Sequence, residues 1–362
     1  MDTALWDKVV NFNIDGVVSE YCFTTRLENE NYWTANFAAA AILEYKKFMY
    51  LAAVSDGMVS PSEIVDIVWH QHLVFTKSYD EFGELLGKKI QHIPSTHHKS
   101  EFSKFKLAGD RTKKLYKETF GTQPAEIWEH DTLYYPLNME KAKFNTVKLI
   151  SIGIVLFIPL FFAAYFCLYP IYITIHNPDF MLGYTSIAVA AFVSLLLYNH
   201  TKLNAMIMQW SKYAFAFTLT PLELVYLQNN EIEPVIHGVV NQLILDNRLS
   251  VEPDNNLAVI NDSGISDPVL FCVLQTVSAN PQMAYYKLVN ILKQKPAFNK
   301  TARAMDAFQK YVSRSKQFIR LFSLNFIISG MVLTLGAIRL ATGVVRDKPV
   351  TYITIAVAVC WL

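Results

Sequence analysis

The chain has 362 residues, 52% of them hydrophobic and 17% charged, with 32 Lys+Arg against 31 Asp+Glu for a net charge of +1. A soluble domain carries roughly 25% charged residues, so this chain is unusually apolar, while its balanced charge excludes polyanion binding as a default role. High apolar content with only 13 Gly and 14 Pro excludes intrinsic disorder, and four scattered cysteines (22, 167, 272 and 360) with no CxxC indicate neither a disulfide framework nor a zinc ribbon.

The first segment, 1–148, holds 17 Lys+Arg and 20 Asp+Glu, a net of −3. Residues 1–13 contain Asp2 and Asp7 and no long apolar core, so no signal peptide is expected. Trp33, Phe37, Ala41, Glu44, Tyr45 and Phe48 recur at three- and four-residue steps and predict one long helix over 30–53. After the Asp56-Gly57 turn, Ser60-Pro61-Ser62-Glu63 reads as a helix start, with Ser60 as N-cap and Glu63 closing a capping box.

That next helix carries Val65-Asp66-Ile67-Val68-Trp69-His70-Gln71-His72-Leu73. Asp66 and His70, four residues apart, share a face and can hold one cation or each other. His72 lies about 200° around the helix from His70. His92, His97 and His98 follow in an irregular stretch. Zinc takes three or four ligands, imidazole and carboxylate among them, so Asp66, His70, His92 and either His72 or His97 are candidates for zinc or another divalent metal. The plainer alternative is that Asp66 fixes the tautomer of His70, Trp69 packs in the core, and His72 and His92 make ordinary polar contacts.

Residues 149–175 contain no Asp, Glu, Lys or Arg, and about 20 apolar residues suffice to span a bilayer. Pro159 is expected to kink this span and Pro170 to end it. A second span over 181–198 ends at Asn199, His200 and Lys202, completing a membrane hairpin. A third, over 321–338, carries Gly330 and Gly336, small residues that allow close helix contact. The apolar run at 350–362 is too short to cross as a helix and reads as a truncated or re-entrant span. Flanking cations (Lys141, Lys143, Lys148, Lys202, Lys212, Lys310, Arg314, Lys316, Arg320) outnumber Arg346 and Lys348, which places 1–148 and 199–317 in the cytoplasm. Unpaired Cys22 and Cys272 fit a reducing compartment.

Between spans two and three, Thr220-Pro221-Leu222-Glu223 opens a short helix and a second follows over 233–247. Alternation at 249–252 and 257–260 around Pro253-Asp254-Asn255-Asn256 predicts a β-hairpin. Helix, helix, hairpin is the outline of a winged helix. Its second helix has Glu231, Glu233 and Asp246 against Arg248, which points away from DNA. Helices over 281–295 and 298–313 complete the segment. The fold class is therefore mainly α. It comprises a helical cytoplasmic domain (1–148), a transmembrane helix hairpin (149–198), a winged-helix-like α+β cytoplasmic domain (199–317), and one full and one partial transmembrane helix (318–362).

Residues 23–130 resemble the glycine-rich-domain-protein-like family of bacteria and plants. The likeness lies in Arg26-Leu27, Glu30-Asn31 and Trp33; Glu44-Tyr45-Lys46-Lys47-Phe48; Trp69-His70-x-His72-Leu73; and His92-x-Pro94, Tyr116, Phe120-Gly121 and Ile127-Trp128. Gly109 departs from the aromatic residue expected there, which would weaken its helix. Residues 203–362 are similar to an uncharacterised family of bacterial membrane proteins that usually continue into a Gly/Cys-rich tail. The specific string is Gly336-x-x-Arg339-Leu340-x-x-Gly343-x-x-Arg346-x-Lys348-Pro349-Val350. Neither resemblance implies a reaction. Arg339 is expected to snorkel to the headgroups, its functional alternative being to grip a lipid phosphate or a partner carboxylate, and Asn325 to bond another helix.

The functional expectation is a bacterial inner-membrane protein whose cytoplasmic domains bind a protein partner or organise a membrane complex. One alternative is a metal-dependent enzyme using the Asp66/His70/His92 region. The other is a membrane-tethered regulator reading DNA through 220–260, with nucleic acid the least expected partner.

Overall fold

The computed structural model describes residues 2–93, 102–211, 219–253 and 256–361. Among them lie sixteen α-helices and a single two-stranded sheet, so the chain is mainly helical. It divides into two compact units, Met1–Pro136 with Ala214–Phe308, and Leu137–Tyr213 with Gln309–Leu362.

In the first unit, α1 (Thr3–Val10) is capped by the Asp2 carboxylate, which accepts from the Leu5 N–H at 3.1 Å. The long helix expected over 30–53 is broken. Helix α2 (Phe23–Asn31) ends at Tyr32, which takes a left-handed φ of 57°, and α3 (Ala35–Val54) restarts behind the Thr34 cap. The periodicity crosses the break because Trp33 and α3 bury side chains in one core. Helix α4 (Glu63–Val74) starts two residues later than the expected capping box, on Ser62, whose hydroxyl accepts from the Val65 N–H at 3.2 Å. Ser60 is claimed elsewhere, donating its N–H to Thr112 Oγ1 at 2.9 Å. Helices α5 (Thr76–Leu86), α6 (Phe102–Phe120) and α7 (Ala125–Trp128) complete the segment, α6 running unbroken through Gly109.

Helix α3 packs against α1, α2, α4 and α6, and Phe23, Tyr45, Phe48, Trp69, Phe82 and Tyr116 fill the space between them. Into this apolar core α3 also carries Glu44, which is 3% exposed. Its carboxylate accepts from Lys47 Nζ at 2.7 Å, the Tyr116 hydroxyl at 2.8 Å and the Trp128 indole N–H at 2.7 Å, tying α3 to α6 and α7. A buried carboxylate is tolerated only with partners of this kind.

Helices α8 (Thr146–Tyr172) and α9 (Asn177–Ser211) belong to the second unit. The chain then returns to the first with α10 (Pro221–Asn229), opened by a full Thr220/Glu223 capping box, and α11 (Glu233–Leu245). Strands β1 (Leu249–Val251) and β2 (Leu257–Val259) pair antiparallel with Leu249 opposite Val259, as the alternation predicts; Asp254 and Asn255 lie outside the described residues. Helix α12 (Pro268–Ala279), which the sequence reading did not place, starts on an Asp267 cap with Pro268 at its first position. The helix expected from 281 is the shorter α13 (Tyr285–Leu292), because Gln282 takes a left-handed φ of 67°. Helix α14 (Pro296–Ser313) follows, and the second core gathers around α11 to α14.

The two segments of the first unit meet along a polar seam. Glu28 and Lys300 pair at 2.9 Å, with side chains only 4% and 11% exposed. Burial pushes the Glu28 carboxyl above its usual range against the pull of Lys300, while Lys300, which burial alone would lower, is carried above its ordinary value by Glu28. Beside this pair, Glu223 Oε1 accepts from the Ala35 N–H at 3.0 Å, and Lys295 reaches Glu20 at 2.6 Å.

In the second unit, α8, α9 and α15 (Lys316–Val345) are long and apolar enough to cross a membrane, and α16 (Thr351–Trp361) is a shorter apolar helix. These features are compatible with a membrane protein. The helices outrun the ends that hydropathy marks. Pro170 lies inside α8, since a proline removes one N–H and costs one backbone bond, not the whole helix. Asn199, His200 and Lys202 close the apolar run of α9 but leave its backbone bonding intact, and the helix continues for about 50 Å in all.

Helix α15 is the central one, packed against α8, α9 and α16. Gly153 of α8 receives the Phe326 ring, and a Cβ at Gly336 would stand 2.5 Å from Val357 and 2.7 Å from the Tyr184 hydroxyl. Gly330, also expected at a contact, faces open space. Asn325 bonds another helix as expected, exchanging amide hydrogen bonds with Asn199 at 2.8 and 2.9 Å. Replacing Gly336 by leucine is expected to destabilise this packing by about 1–3 kcal/mol. The thermal midpoint of the detergent-purified chain measures this, and an unchanged midpoint would refute the contact.

Two sets of contacts mark the ends of the bundle. At the start of α8 and α15, Lys316 Nζ pairs with Glu140 at 2.8 Å and Ala142 N–H donates to the Arg314 carbonyl. At the other end, Arg339 holds the α8–α9 turn, donating to the carbonyls of Tyr172 and Ile175 and to Asn177 Oδ1, while its guanidinium lies 4.6 Å over the Phe180 ring. These carbonyls lie where α8 ends and lacks further backbone partners. Gly343 is required by close approach, since a Cβ there would meet Val350 at 2.6 Å.

Candidate metal centre

Helix α4 sorts its side chains by period. Ile64, Val65, Val68, Trp69, Gln71 and His72 are buried, whereas Asp66 and His70 stand on the opposite, open face. His92 comes from the segment after α5 and reaches back to that face. Its Nε2 lies 3.0 Å from Asp66 Oδ1, and His70 Nε2 lies 3.4 Å from Asp66 Oδ2. The carboxylate thus offers one oxygen to each imidazole, and one ligand atom from each of the three residues falls within 4.8 Å of the other two. Ligands of a tetrahedral zinc stand about 3.3 Å apart, given bonds near 2.0–2.1 Å. The donor types suit a divalent cation, and separations of up to 4.8 Å would have to close toward that spacing on binding.

The segment carrying His92 is held from below. The Trp69 indole N–H donates to the Tyr79 hydroxyl at 3.0 Å, and that hydroxyl donates to the Ile90 carbonyl. Burial raises the Tyr79 hydroxyl above its ordinary pKa, so it remains a donor well into the alkaline range. The Trp69 ring meets the His92 ring edge-on at 4.6 Å. Trp69 is thus a positioning residue. Tyr79 and Ile90 were missed as contributors to the site, although Tyr79 follows Trp69 at the i+10 position, where only a turn between two helices brings them together.

The side-chain exposures show how the centre faces solvent: 14% for His92, 36% for Asp66 and 58% for His70. A cleft of about 530 Å³ opens alongside, lined by Asp66, Trp69 and His92 together with Phe48, Met58 and Phe105. Three protein ligands with one side open is the arrangement of metal sites that admit water or a substrate.

His72 does not join them. It is fully buried on the far side of α4. Its Nδ1 lies 2.8 Å from the Tyr45 hydroxyl and its Nε2 lies 3.0 Å from Ser78 Oγ. The Ser78 hydroxyl donates to the Ile14 carbonyl at 3.2 Å, so it accepts from His72 Nε2–H, and Nδ1 accepts the Tyr45 proton. Burial first, and then the Lys46 ammonium, lower the imidazole pKa from 6.5 to about 4. His97 and His98 lie outside the described residues.

No family model matches the chain, and neither a curated protein nor a solved structure matches it. The two resemblances rest on the residues that carry them.

Proposed function

We propose that the chain is a membrane protein whose non-membrane unit binds a divalent cation, zinc by preference, through Asp66, His70 and His92 beside the 530 Å³ cleft. The convergence of one carboxylate and two imidazoles from two separate segments carries this reading. A cation there would polarise a substrate or activate a bound water in the cleft. Elemental analysis tests it on the full chain, purified in detergent, incubated with zinc and desalted. The expected result is about one zinc per chain, lost in His70→Ala and in His92→Ala but kept in His72→Gln. A parent chain that retains no zinc would defeat the reading.

The second reading is a scaffold that binds another protein or organises a membrane complex. It draws on the buried seam that joins 1–136 and 214–308 into one body and on the structural roles of Glu44, Trp69 and His72. Under it Asp66 and His92 form a plain hydrogen-bonded pair, and the elemental analysis returns no metal. DNA reading through 220–260 has the least support, since α11 carries Glu233 and no Lys or Arg to contact phosphates.

We place the protein in the bacterial inner membrane with the first unit in the cytoplasm. The bacterial assignment rests on the resemblance of residues 203–362 to a family of bacterial membrane proteins. The sidedness rests on the cations before α8 and α15, and on the Glu140–Lys316 pair that keeps those two helix starts at one end.

A further inference from the structure

At the Arg339 end of the helix bundle a cavity of about 340 Å³ lies among the α8–α9 turn, the last turns of α15 and the start of α16. Three permanent cations line it, Arg339, Arg346 and Lys348, and among the described residues none of them forms an ion pair with a carboxylate. What they touch is neutral. Arg339 bonds two carbonyls and the Asn177 amide oxygen, and Arg346 donates to the Ile173 carbonyl at 3.4 Å. The Lys348 side chain makes no hydrogen bond among the described residues. Carbonyl dipoles orient guanidinium groups but do not neutralise them, so three like charges converge on one cavity with no carboxylate paired to them among the described residues.

The depth of the cavity names the available anion. Arg320 and Arg339 stand nineteen positions apart on α15, about 28 Å along the axis at 1.5 Å per residue. A bilayer's hydrocarbon core is about 30 Å thick. With Arg320 at one boundary, Arg339 lies at the other, and Arg346 and Lys348 extend beyond it into the layer where headgroup phosphates lie. The rest of the wall mixes the polar side chains of Thr174, His176 and Thr342 with apolar Val350 and Ile353, and the Phe180 ring lies under the Arg339 guanidinium. Guanidinium and ammonium groups together suit a tetrahedral oxyanion, the guanidinium in bidentate fashion.

We propose that this cavity is a phosphate site in which Arg346 and Lys348 contact the anion and Arg339 holds the turn that shapes it. The anion is either the headgroup phosphodiester of an anionic lipid or free phosphate. This site is separate from the Asp66/His70/His92 centre and stands without it.

The test uses the full chain in an uncharged detergent, titrated with phosphatidylglycerol, with a diacylglycerol of the same acyl chains, and with inorganic phosphate. Native mass spectrometry and the thermal midpoint report binding. Phosphatidylglycerol is expected to bind roughly tenfold or more tightly than the diacylglycerol, and Arg346→Gln/Lys348→Gln to lose about that factor, the size of one charge-assisted hydrogen bond. Phosphatidylglycerol binding above that of inorganic phosphate identifies a lipid ligand. Inorganic phosphate binding as tightly, and lost in the variant, identifies a soluble one. Both outcomes support the site. Should the double variant fail to fold, Lys348→Gln alone removes a side chain without hydrogen bonds and must still weaken binding. Equal affinity for phosphatidylglycerol and diacylglycerol with no phosphate binding, or full phosphate affinity in a folded variant, overturns the proposal.

Discussion

Glu44→Ala is expected to destabilise the first unit by about 3–5 kcal/mol, the usual cost of removing one partner from a buried, hydrogen-bonded charge pair. Three donors lose their acceptor at once: Lys47 Nζ, the Tyr116 hydroxyl and the Trp128 indole N–H. Lys47 also reaches the Tyr116 hydroxyl at 3.0 Å, but that oxygen is not a carboxylate and leaves the ammonium uncompensated. Burial, followed by the Glu44 hydrogen bond, holds the Tyr116 hydroxyl above its ordinary pKa, so it stays a donor across the working range. Glu44→Gln, which keeps one acceptor oxygen, should cost less, about 1–3 kcal/mol. Guanidinium denaturation of the detergent-purified chain measures both through tryptophan fluorescence, since Trp6, Trp33, Trp69 and Trp128 all lie in this unit. A Glu44→Ala midpoint within error of the parent would refute the network.

The second large effect is a loss of stability in acid that traces to His72. Its pKa falls from 6.5 to about 4 in the fold because burial, and after it Lys46, disfavour the imidazolium. The unfolded chain therefore binds a proton between those values that the folded chain does not. Stability from this group is complete above about pH 6.5 and declines as pH falls, levelling off below about pH 4. The full swing is about 3 kcal/mol, since one pKa unit corresponds to 1.36 kcal/mol. The buried chain from Tyr45 through His72 and Ser78 to the Ile14 carbonyl suits the neutral imidazole, since protonating Nδ1 would make the Tyr45 hydroxyl an acceptor and turn its own proton away from the ring. His72→Gln should be less stable than the parent at pH 7 yet lose less on acidification. Denaturation midpoints at pH 7, 5.5 and 4.5 decide the matter, and equal pH slopes for parent and variant would count against the assignment.

Most of what hydropathy and period encode was readable along the chain. The three long apolar helices, the β1–β2 hairpin and the Thr220–Glu223 helix start follow from local pattern, because apolar runs, alternation and capping residues act over a few neighbours. Asn325 was marked for a helix–helix bond only as a polar residue inside a span, and packing supplied Asn199 as its partner. The errors share one cause. Tyr32 breaks the helix at 30–53, Ser62 replaces Ser60 as a cap, and Gln282 shortens α13, each through a backbone conformation or tertiary contact that periodicity does not record. The ends of α8, α9 and α15 were misplaced for a different reason. Hydropathy marks where lipid stops, and a helix stops only where its hydrogen bonding does.

The candidate site divides the same way. Asp66 and His70 were pairable from their spacing of four on one helix face, but His72, about 200° around the helix, stayed among the candidate ligands until its burial against Tyr45 and Ser78 removed it. Distance along the chain left His92 open, because twenty-two residues and a second helix separate it from His70. The sequence by itself determined that this protein has three apolar helices of membrane-spanning length, a balanced charge and a helix bearing Asp66 and His70 together. Tertiary structure alone decided that His92 completes the cluster, that His72 is spent on Tyr45 and Ser78, and that Arg339, Arg346 and Lys348 line one cavity. The reason is physical: helical period governs which neighbours share a face, but only packing of separate segments brings distant side chains within bonding distance.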